Sequence, residues 1–278
     1  MKSTFDILSK KTSKLVTNQY STSFSLGIFM LDRKIHEPIY AIYGYVRLAD
    51  EIVDSFHGYD KVRLLAELKK DTYGAIDAGI SVNPILNSFQ EVVNRYHIER
   101  SLIDTFLKSM EMDLDKRKYS AVEYQQYILG SAEVVGLMCL RVFTDGSQQY
   151  YEQLKPYAMR LGAAFQKVNF LRDFQDDYEG LGRSYFPGIY FDNFDEHQKR
   201  NIEKEIQEDF RQALIGIRQL PRAARLGVYT AYVYYSALFQ KIKAVSASRI
   251  MQERIRISNL RKLWLTCSCM LSFSFNRY

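Results

Sequence analysis

Four aspartates stand in two pairs with the same spacing. Asp50 and Asp54 lie in the segment RLADEIVD, and Asp173 and Asp177 lie in the segment NFLRDFQDD. Residues four apart share one face of a helix, so each pair would place two carboxylates side by side. Like charges at this spacing destabilise an isolated helix by roughly 0.2–0.5 kcal/mol. A divalent cation would offset that repulsion, and magnesium is usually held by one or two carboxylates together with substrate phosphates.

A row of polar side chains leads into the second pair. Gln166 and Asn169 precede Asp173 and Asp177 on the same flank of the predicted helix, which gives four oxygen-bearing groups on one stripe. The neighbours of this stripe are apolar: Leu161, Phe165, Phe170 and Leu171. A polar stripe on an otherwise apolar helix is typical of the wall of a buried site.

Each aspartate pair has an arginine nearby. Arg47 lies three residues before Asp50, and Arg172 lies beside Asp173. One such aspartate pair is more often a solvated helix face than a metal site. Two pairs, each with a guanidinium that can grip phosphate oxygens in a fork, predict an anionic ligand bridged by metal.

The surrounding sequence predicts helices almost throughout. Apolar residues recur at helical spacing, as in Ile39, Ile42, Tyr43 and Val46, and Pro38 is predicted to stand in the first turn of that helix. The chain has only 14 glycines and 5 prolines, which favours long helices with short connections. We predict one all-α domain of about ten helices, with loops at Thr144–Ser147 and Gly180–Gly188.

Composition excludes several classes of function. The net charge of +6 favours anionic ligands or an anionic membrane surface, but no basic cluster or zinc signature indicates nucleic-acid binding. Three cysteines are too few for a disulfide framework, and no run of 18 apolar residues predicts a membrane-spanning helix. The N-terminus has no secretory signal, so we expect a cytoplasmic protein. The chain has no dinucleotide-binding GxGxxG fingerprint, and its four histidines lie outside the motifs.

From about Tyr20 to Lys262 the chain resembles the squalene and phytoene synthase family of head-to-head prenyl synthases, and bacterial phytoene synthases most. The resemblance rests on motifs in the family's order. These are YSTSF (20–24), DEIVD (50–54), MEMD (110–113), VVGLM (134–138), NFLRDFQDD (169–177), GRSYFP (182–187) and ERIRIS (253–258).

The resemblance implies a single-domain isoprenoid-synthase-type helical bundle with a central cavity, spanning residues 1–278 with its motif-bearing core at about 20–262. It implies roles for fourteen residues. The magnesium ligands, with manganese as a substitute, would be Asp50, Asp54, Asn169, Asp173 and Asp177. The diphosphates would be bound by Ser21, Ser23, Arg47, Gln166, Asn169, Arg172 and Arg254. The reaction centre would be lined by Tyr43, Tyr127 and Tyr185, for which a plain core position is the alternative.

The implied reaction joins two geranylgeranyl diphosphates into phytoene, with no nicotinamide cofactor. Two alternatives stay open: the same chemistry on farnesyl diphosphate, giving dehydrosqualene, squalene or hydroxysqualene, and a non-catalytic assembly or binding factor. Prenyl diphosphates, a peripheral membrane contact and a downstream desaturase are the expected partners. One departure from the family is the pair Ala132-Glu133, which stands before VGLM where an Ala-Gly pair is usual. The apolar, Ser-rich end of the chain (266–278) would contact a membrane or fray.

Overall fold

The computed structural model describes residues 2–115, 118–189 and 193–274, and their regular structure is helical. The all-α prediction is confirmed. Among the described residues the α-helices are α1 (Lys2–Tyr20), α2 (Thr22–Phe29), α3 (Arg33–Asp54), α4 (Lys61–Ala78), α5 (Pro84–Tyr96), α6 (Arg100–Asp115), α7 (Ala121–Ile128), α8 (Val134–Phe143), α9 (Gln148–Arg172), α10 (Phe174–Leu181), α11 (Glu196–Gln219), α12 (Arg222–Lys243), α13 (Ala247–Ile250) and α14 (Asn259–Ser274). A π-helical segment, Leu129–Glu133, joins α7 to α8.

The helices outnumber the ten that were expected because several are short. Helices α2, α7 and α10 have 8 residues each and α13 has 4, too few to show a helical period in the sequence. The predicted loop at Thr144–Ser147 is confirmed, since α8 ends at Phe143 and α9 begins at Gln148. The second loop begins at Gly182, the left-handed residue that ends α10.

The first aspartate helix begins earlier than predicted. Asp32 caps α3, with its side chain accepting a hydrogen bond from the Lys34 amide, and Pro38 lies inside the helix. The prediction that Pro38 stands in the first turn was therefore wrong. The Asp32 cap satisfies free amides of the first turn, so the helix does not need a proline to begin.

The polar stripe of the second motif does not lie on one continuous helix. Helix α9 ends at Arg172, α10 begins at Phe174, and Asp173 is the junction between them. The four-residue spacing is nevertheless kept, because the Asp173 amide donates to the Asn169 carbonyl and the Asp177 amide donates to the Asp173 carbonyl, each at 2.8 Å. The break adds a new helix N-terminus directly after Asp173.

Two apolar cores flank the space between α3 and α9. One is built mainly on α3, α5 and α6 around fully buried Tyr45, Phe89 and Phe106. The other is built on α7, α9, α11 and α12 around Val168 and Phe239. Because each core packs against one aspartate helix, the packing of the two cores sets the relative position of the two motifs.

One stretch, Ala121–Phe143, is long and apolar enough to cross a membrane, and half of its apolar window is buried inside the protein. It comprises α7, the π-helical segment and α8, which pack against α6 and α9. The described structure therefore uses this stretch as a core element.

Close helix contacts around the central space depend on glycine. A Cβ at Gly216 on α11 would lie 2.2 Å from the Cβ of Tyr157 on α9, which is far inside contact distance. Gly74 on α4 has open space around its Cβ position. The contact between α9 and α11 therefore requires a glycine at position 216, whereas α4 does not require one at 74.

We expect Gly216→Ala to lower the free energy of unfolding by about 1–3 kcal/mol, since the new methyl group must push the two helices apart. The matched variant Gly74→Ala should raise it by roughly 0.5–1 kcal/mol, because alanine loses less backbone entropy in a helix. Urea denaturation followed by circular dichroism measures both. An unchanged midpoint for Gly216→Ala would contradict the described packing of α9 on α11.

Candidate active site

A cavity of about 590 Å³ lies between α2, α3, α8, α9, α11 and α12, with a polar mouth and an apolar interior. Nine of the fourteen predicted site residues line it: Ser21, Ser23, Tyr43, Arg47, Asp50, Gln166, Asn169, Arg172 and Arg254. The interior is apolar as far as Phe143, Leu154 and Leu220. The structure thus brings most of the predicted site to one end of one cavity.

Asp50 faces the cavity from α3. Burial and the negative charge of Asp54 raise the pKa of Asp50 to about 7, while Arg47 opposes this shift. The Arg47 guanidinium lies 3.9 Å from the Asp50 carboxylate and forms a closer pair with Glu51. It also lies 4.3 Å from the ring centroid of Tyr20, which fixes its position at the mouth.

Asp54 is held by a buried arginine that sequence reasoning missed. Arg183 Nη1 donates to Asp54 at 2.9 Å and to the Tyr185 hydroxyl at 3.3 Å, and Arg183 Nη2 donates to the Asp113 carbonyl oxygen at 2.7 Å. Arg183 therefore ties the end of α3 to the end of α6. Arg183 and Asp113 both stand in motifs that supported the resemblance, and a charged residue inside an ordered motif is the signal that could have found them.

Two arginines bind Asp173, the first aspartate of the second pair. Arg172 Nε donates to Asp173 at 2.8 Å, and Arg254 Nε lies 2.6 Å from the same carboxylate. Arg254 also lies 3.5 Å from Asp176. The loop before α14 is thus attached to the junction of α9 and α10 through the charge of Asp173.

Asp177 connects the two pairs electrostatically. Burial and the charges of Asp173 and Asp54 raise the pKa of Asp177 to about 7, and Arg183 opposes the shift. Because Asp54 belongs to α3 and Asp177 to α10, the two aspartate pairs face each other closely enough to repel. This repulsion is the condition that a shared cation would relieve.

The donor set fits magnesium. The Oδ1 atom of Asn169 is buried and has no hydrogen-bond partner among the described residues, an acceptor left free at the cavity wall. Within the described ranges, no group of three or more His, Cys, Asp or Glu side chains is close enough to hold a metal. Magnesium does not need such a group, since one or two carboxylates and substrate phosphates suffice. Of the four aspartates, Asp50 lines the cavity, whereas Asp54, Asp173 and Asp177 are not part of its lining. Asp173 is bound by Arg172 and Arg254, which do line it, so a carboxylate of each pair lies at or next to the mouth.

The N-terminus of α2 adds further anion-binding groups at the mouth. Ser21 caps α2 by accepting from the Phe24 amide at 3.2 Å, and Ser23 lies in the first turn. Free amides and the positive end of the helix dipole favour a phosphate there. Lys262 on α14 donates to the Thr22 hydroxyl at 2.8 Å and so places a further cation at this end, which sequence reasoning missed.

The three predicted tyrosines occupy two different places. Tyr43 lines the cavity, its ring centroid 5.4 Å from that of Phe24, and burial raises its pKa to about 12. Tyr127 and Tyr185 are not among the residues that line the cavity. The Tyr127 hydroxyl donates to Asp113 at 2.7 Å, and the Tyr185 ring lies stacked 4.1 Å from that of Phe170. These two tyrosines instead contact groups next to the aspartates: Tyr127 binds Asp113, and Tyr185 accepts from Arg183.

Tyr235 on α12 is a cavity-lining aromatic residue that the sequence motifs did not identify. Its ring stacks on Phe165 of α9 at 3.9 Å. The pair forms an aromatic wall just below the polar mouth. No spacing pattern links residue 165 to residue 235, so only the packing of α9 on α12 reveals the pair.

Comparison with known proteins identifies this arrangement. The family model described as Squalene/phytoene synthase matches residues 17–261. The chain belongs to the squalene/phytoene synthase family. A chloroplastic phytoene synthase of Narcissus pseudonarcissus is 25% identical over 270 residues, covering 89% of this chain and 62% of that protein. A 15-cis-phytoene synthase of Synechocystis sp. is 27% identical over 254 residues, covering 82% of this chain and 75% of that protein.

A solved structure shares the fold of this chain over almost the whole length of both proteins. The crystal structure of a dehydrosqualene synthase in complex with ligand superposes with a TM-score of 0.82, at 17% identity, covering 97% of this chain and 98% of that one. The prediction of an all-helical single-domain bundle is therefore confirmed. The chain spans less than two thirds of the length of the Narcissus relative.

Glu133, at which this member of the family departs from the usual sequence, is not part of the cavity lining. Ser131 and Ala132 line the cavity, whereas Glu133 does not. Burial raises the pKa of Glu133 to about 7, opposed by the charges of Lys167 and Arg160. Lys167 is itself buried and paired with Asp209 at 2.7 Å. The extra carboxylate thus lies within the electrostatic influence of an ion network between α9 and α11.

The crowded carboxylates predict a pH dependence for the metal-free protein. Asp50 and Asp177 have pKa values of about 7 in the folded chain, above the ordinary value of aspartate. Between about pH 4 and pH 7 the folded state therefore binds more protons than the unfolded state, so stability falls as the pH rises. Asp50→Asn removes one of the repelling charges.

We expect Asp50→Asn to raise the melting temperature in EDTA at about pH 8, with little effect at about pH 5, where the wild-type carboxyl is already neutral. Asp71→Asn, on the exposed face of α4, is the control and should show no such pH dependence. Differential scanning calorimetry at the two pH values makes the comparison. A lower melting temperature for Asp50→Asn at pH 8 would show that repulsion between the carboxylates does not destabilise the folded protein.

Proposed function

We propose that this chain condenses two molecules of geranylgeranyl diphosphate head to head into phytoene, through a cyclopropyl diphosphate intermediate and with release of diphosphate. The observation that supports this most is the pairing of two facing aspartate pairs with a deep apolar cavity. Charge at the mouth suits the diphosphate groups, and the apolar interior suits prenyl tails. The phytoene synthases among the relatives support the choice of a twenty-carbon substrate.

In this proposal the mouth binds the diphosphates. Asp50, Asp54, Asn169, Asp173 and Asp177 hold magnesium, which when bound supplies Lewis-acid stabilisation of the departing diphosphate. Arg47, Arg172 and Arg254, which now neutralise carboxylates, grip phosphate oxygens as bidentate donors. Ser21, Ser23 and Gln166 donate from the rim.

Below the mouth, the cavity protects the carbocation that remains. The rings of Tyr43, Phe165 and Tyr235 lie on the cavity wall next to the polar groups. An aromatic face stabilises a cation by about 0.5–2 kcal/mol. The apolar interior keeps out water, which would otherwise capture the cation. The double bond of the second prenyl chain is then the nucleophile available inside the cavity.

The length of the cavity follows α9. Its lining runs from Arg172 to Leu154, which is about 27 Å along a helix at about 1.5 Å per residue. Leu140, Phe143 and Leu220 close the deep end together with Leu154. A prenyl tail that extends from the mouth along α9 reaches this floor, so side chains near the floor set the longest tail accepted. A cytoplasmic location and a desaturase that consumes the product remain predictions.

The direct test incubates the purified protein with Mg²⁺ and each prenyl diphosphate, with and without reduced nicotinamide, and identifies the extracted hydrocarbon. We expect a forty-carbon product from geranylgeranyl diphosphate without nicotinamide. Asp173→Asn should lower turnover by about 10²–10³-fold or more, since charge stabilisation of the leaving group is lost. Asp71→Asn, outside the cavity, should keep wild-type turnover.

The outcomes separate the competing functions. A thirty-carbon product would contradict the phytoene assignment but keep the chemistry. No product from any prenyl diphosphate would contradict enzymatic activity and favour a binding factor. Near-normal turnover of Asp173→Asn would show that the metal-site assignment is wrong.

Chain length can be tested at Ala158 on α9, which lines the cavity between its middle and its floor. We expect Ala158→Phe to fill the deep end, so that activity with geranylgeranyl diphosphate falls more than tenfold relative to activity with farnesyl diphosphate. Ala66→Phe, on the exposed face of α4, is the matched control and should leave this ratio unchanged. An unchanged ratio for Ala158→Phe would show that tails do not reach this depth.

A further inference from the structure

Helix α14 is apolar on two faces. Its inner face is buried against α12, with Leu265, Thr266 and Cys269 almost fully covered. Its outer face leaves Leu260, Leu263, Trp264 and Met270 exposed, with exposed fractions of 82%, 59%, 57% and 47%. Cys267, also exposed, completes the spacing 260, 263, 264, 267 and 270, which is one stripe of a helix. A contiguous apolar stripe that is exposed commonly marks a surface covered by a partner or a membrane.

The charged residues in α14 and in the segment just before it all carry positive charge. No acidic residue follows Glu253 in the chain, whereas Arg254, Arg256, Arg261 and Lys262 precede or begin the helix. The Arg261 guanidinium lies 4.5 Å from the ring centroid of Trp264, so a positive charge accompanies the largest exposed apolar side chain. Basic groups beside Trp and Leu are typical of helices that lie at the surface of an anionic bilayer.

The stripe starts at the cavity mouth. Lys262 on α14 donates to Thr22, a residue of the cavity lining, and Arg254 at the mouth lies five residues before α14. The Tyr234 hydroxyl donates to the Lys262 carbonyl at 3.0 Å, which fastens this end of α14 to α12. A surface that covers the stripe therefore also lies next to the opening through which ligands enter and leave.

We propose that the outer face of α14, defined here as Leu260, Leu263, Trp264, Cys267 and Met270, docks the protein on an anionic lipid bilayer. Docking inserts these side chains among the lipid tails while Arg256 and Arg261 contact acidic headgroups. This surface is defined by its exposed apolar side chains and the basic residues near them, and it does not depend on the chemistry of the cavity. Its purpose, the exchange of amphiphilic prenyl diphosphates and an apolar product at the bilayer, rests on the proposed function.

Charge distinguishes this occupant from a second copy of the chain. A symmetric dimer through α14 would bring the same patch of both copies together, so the basic residues Arg256 and Arg261 of both copies would lie in one interface. Like charges in such a contact are unfavourable, whereas an acidic headgroup layer is complementary to them.

The chain offers a built-in probe, because Trp264 is its only tryptophan. The experiment mixes the full chain with vesicles of phosphatidylcholine, alone or with one part in four of phosphatidylglycerol, and measures flotation and tryptophan emission. We expect binding to the anionic vesicles, with a blue shift of the emission and protection from acrylamide quenching. Salt should weaken the binding, and neutral vesicles should bind far less.

Two sets of variants locate the surface. Leu263→Gln with Met270→Gln should weaken vesicle binding by more than about tenfold, since the apolar area that enters the bilayer is lost. Val62→Gln with Val82→Gln, which changes two exposed valines elsewhere, is the matched control and should bind like the wild type. Arg256→Gln with Arg261→Gln should reduce binding to anionic vesicles only. Circular dichroism checks that each variant is folded, and turnover of detergent-dispersed substrate tests the proposed function separately.

Two other outcomes would contradict docking on a bilayer. A wild-type protein that does not float with anionic vesicles, or floats without a change in tryptophan emission, would overturn the proposal. A blue shift that depends on protein concentration without vesicles, with a dimer in sedimentation that Leu263→Gln with Met270→Gln dissociates, would assign the face to a second copy instead. Neither result depends on whether the chain makes a hydrocarbon.

Discussion

The organisation of this protein depends on negative charge held in a confined space. Asp54 on α3 and Asp177 on α10 raise each other's energy, and Asp50 and Asp173 add to the field. In the described structure arginines answer part of that charge: Arg47 beside Asp50, Arg183 on Asp54, and Arg172 with Arg254 on Asp173. The site is therefore partly neutralised by arginines, which can also bind phosphate. Under the proposed function, these arginines would exchange their carboxylate partners for diphosphate when substrate and metal bind.

Holding like charges together lowers the stability of the fold. Burial of apolar side chains in the two cores offsets that cost. Each aspartate helix is packed into its own core, in which aromatic residues such as Tyr45 and Phe239 are fully buried. Close helix approaches at Gly216 and Gly162 keep the walls of the cavity in register. The buried bonds of Asp113 to Tyr119 and Tyr127 brace the carboxylate cluster from the side opposite the cavity. Rigid packing thus maintains a site that electrostatics would otherwise open.

Sequence reasoning reached the parts of this account that depend on spacing and motif order. The aspartate pairs, their adjacent arginines and the all-α fold follow from residues near each other in the chain. Arg183 binding Asp54 across 129 residues, and Lys262 binding Thr22 across 240, do not. These contacts arise from tertiary packing, which the periodicity of apolar residues in the sequence does not predict. The helix break at Asp173 was hidden because the four-residue hydrogen bonds continue across it.

The tyrosines show the same limit. Tyr43 lies on the cavity wall, whereas Tyr127 and Tyr185 lie behind the carboxylates with Phe170. All three are tyrosines within helical or motif segments, and their different surroundings are decided by which helix face meets which neighbour. Cavity depth, and with it the preferred prenyl length, is likewise a property of packed side chains from α3, α8, α9, α11 and α12.

The central claim is that the two aspartate pairs hold divalent metal and diphosphate at the mouth of a tail-binding cavity. It is tested most directly by a crystal structure of the protein soaked with Mn²⁺ and an unreactive thio-analogue of geranylgeranyl diphosphate, with metal located by anomalous scattering. The account predicts anomalous peaks within about 2.0–2.3 Å of carboxylate oxygens of both Asp50/Asp54 and Asp173/Asp177, with the prenyl tail extending along α9 towards Leu154. Metal bound elsewhere, or a tail lying outside the cavity, would contradict it.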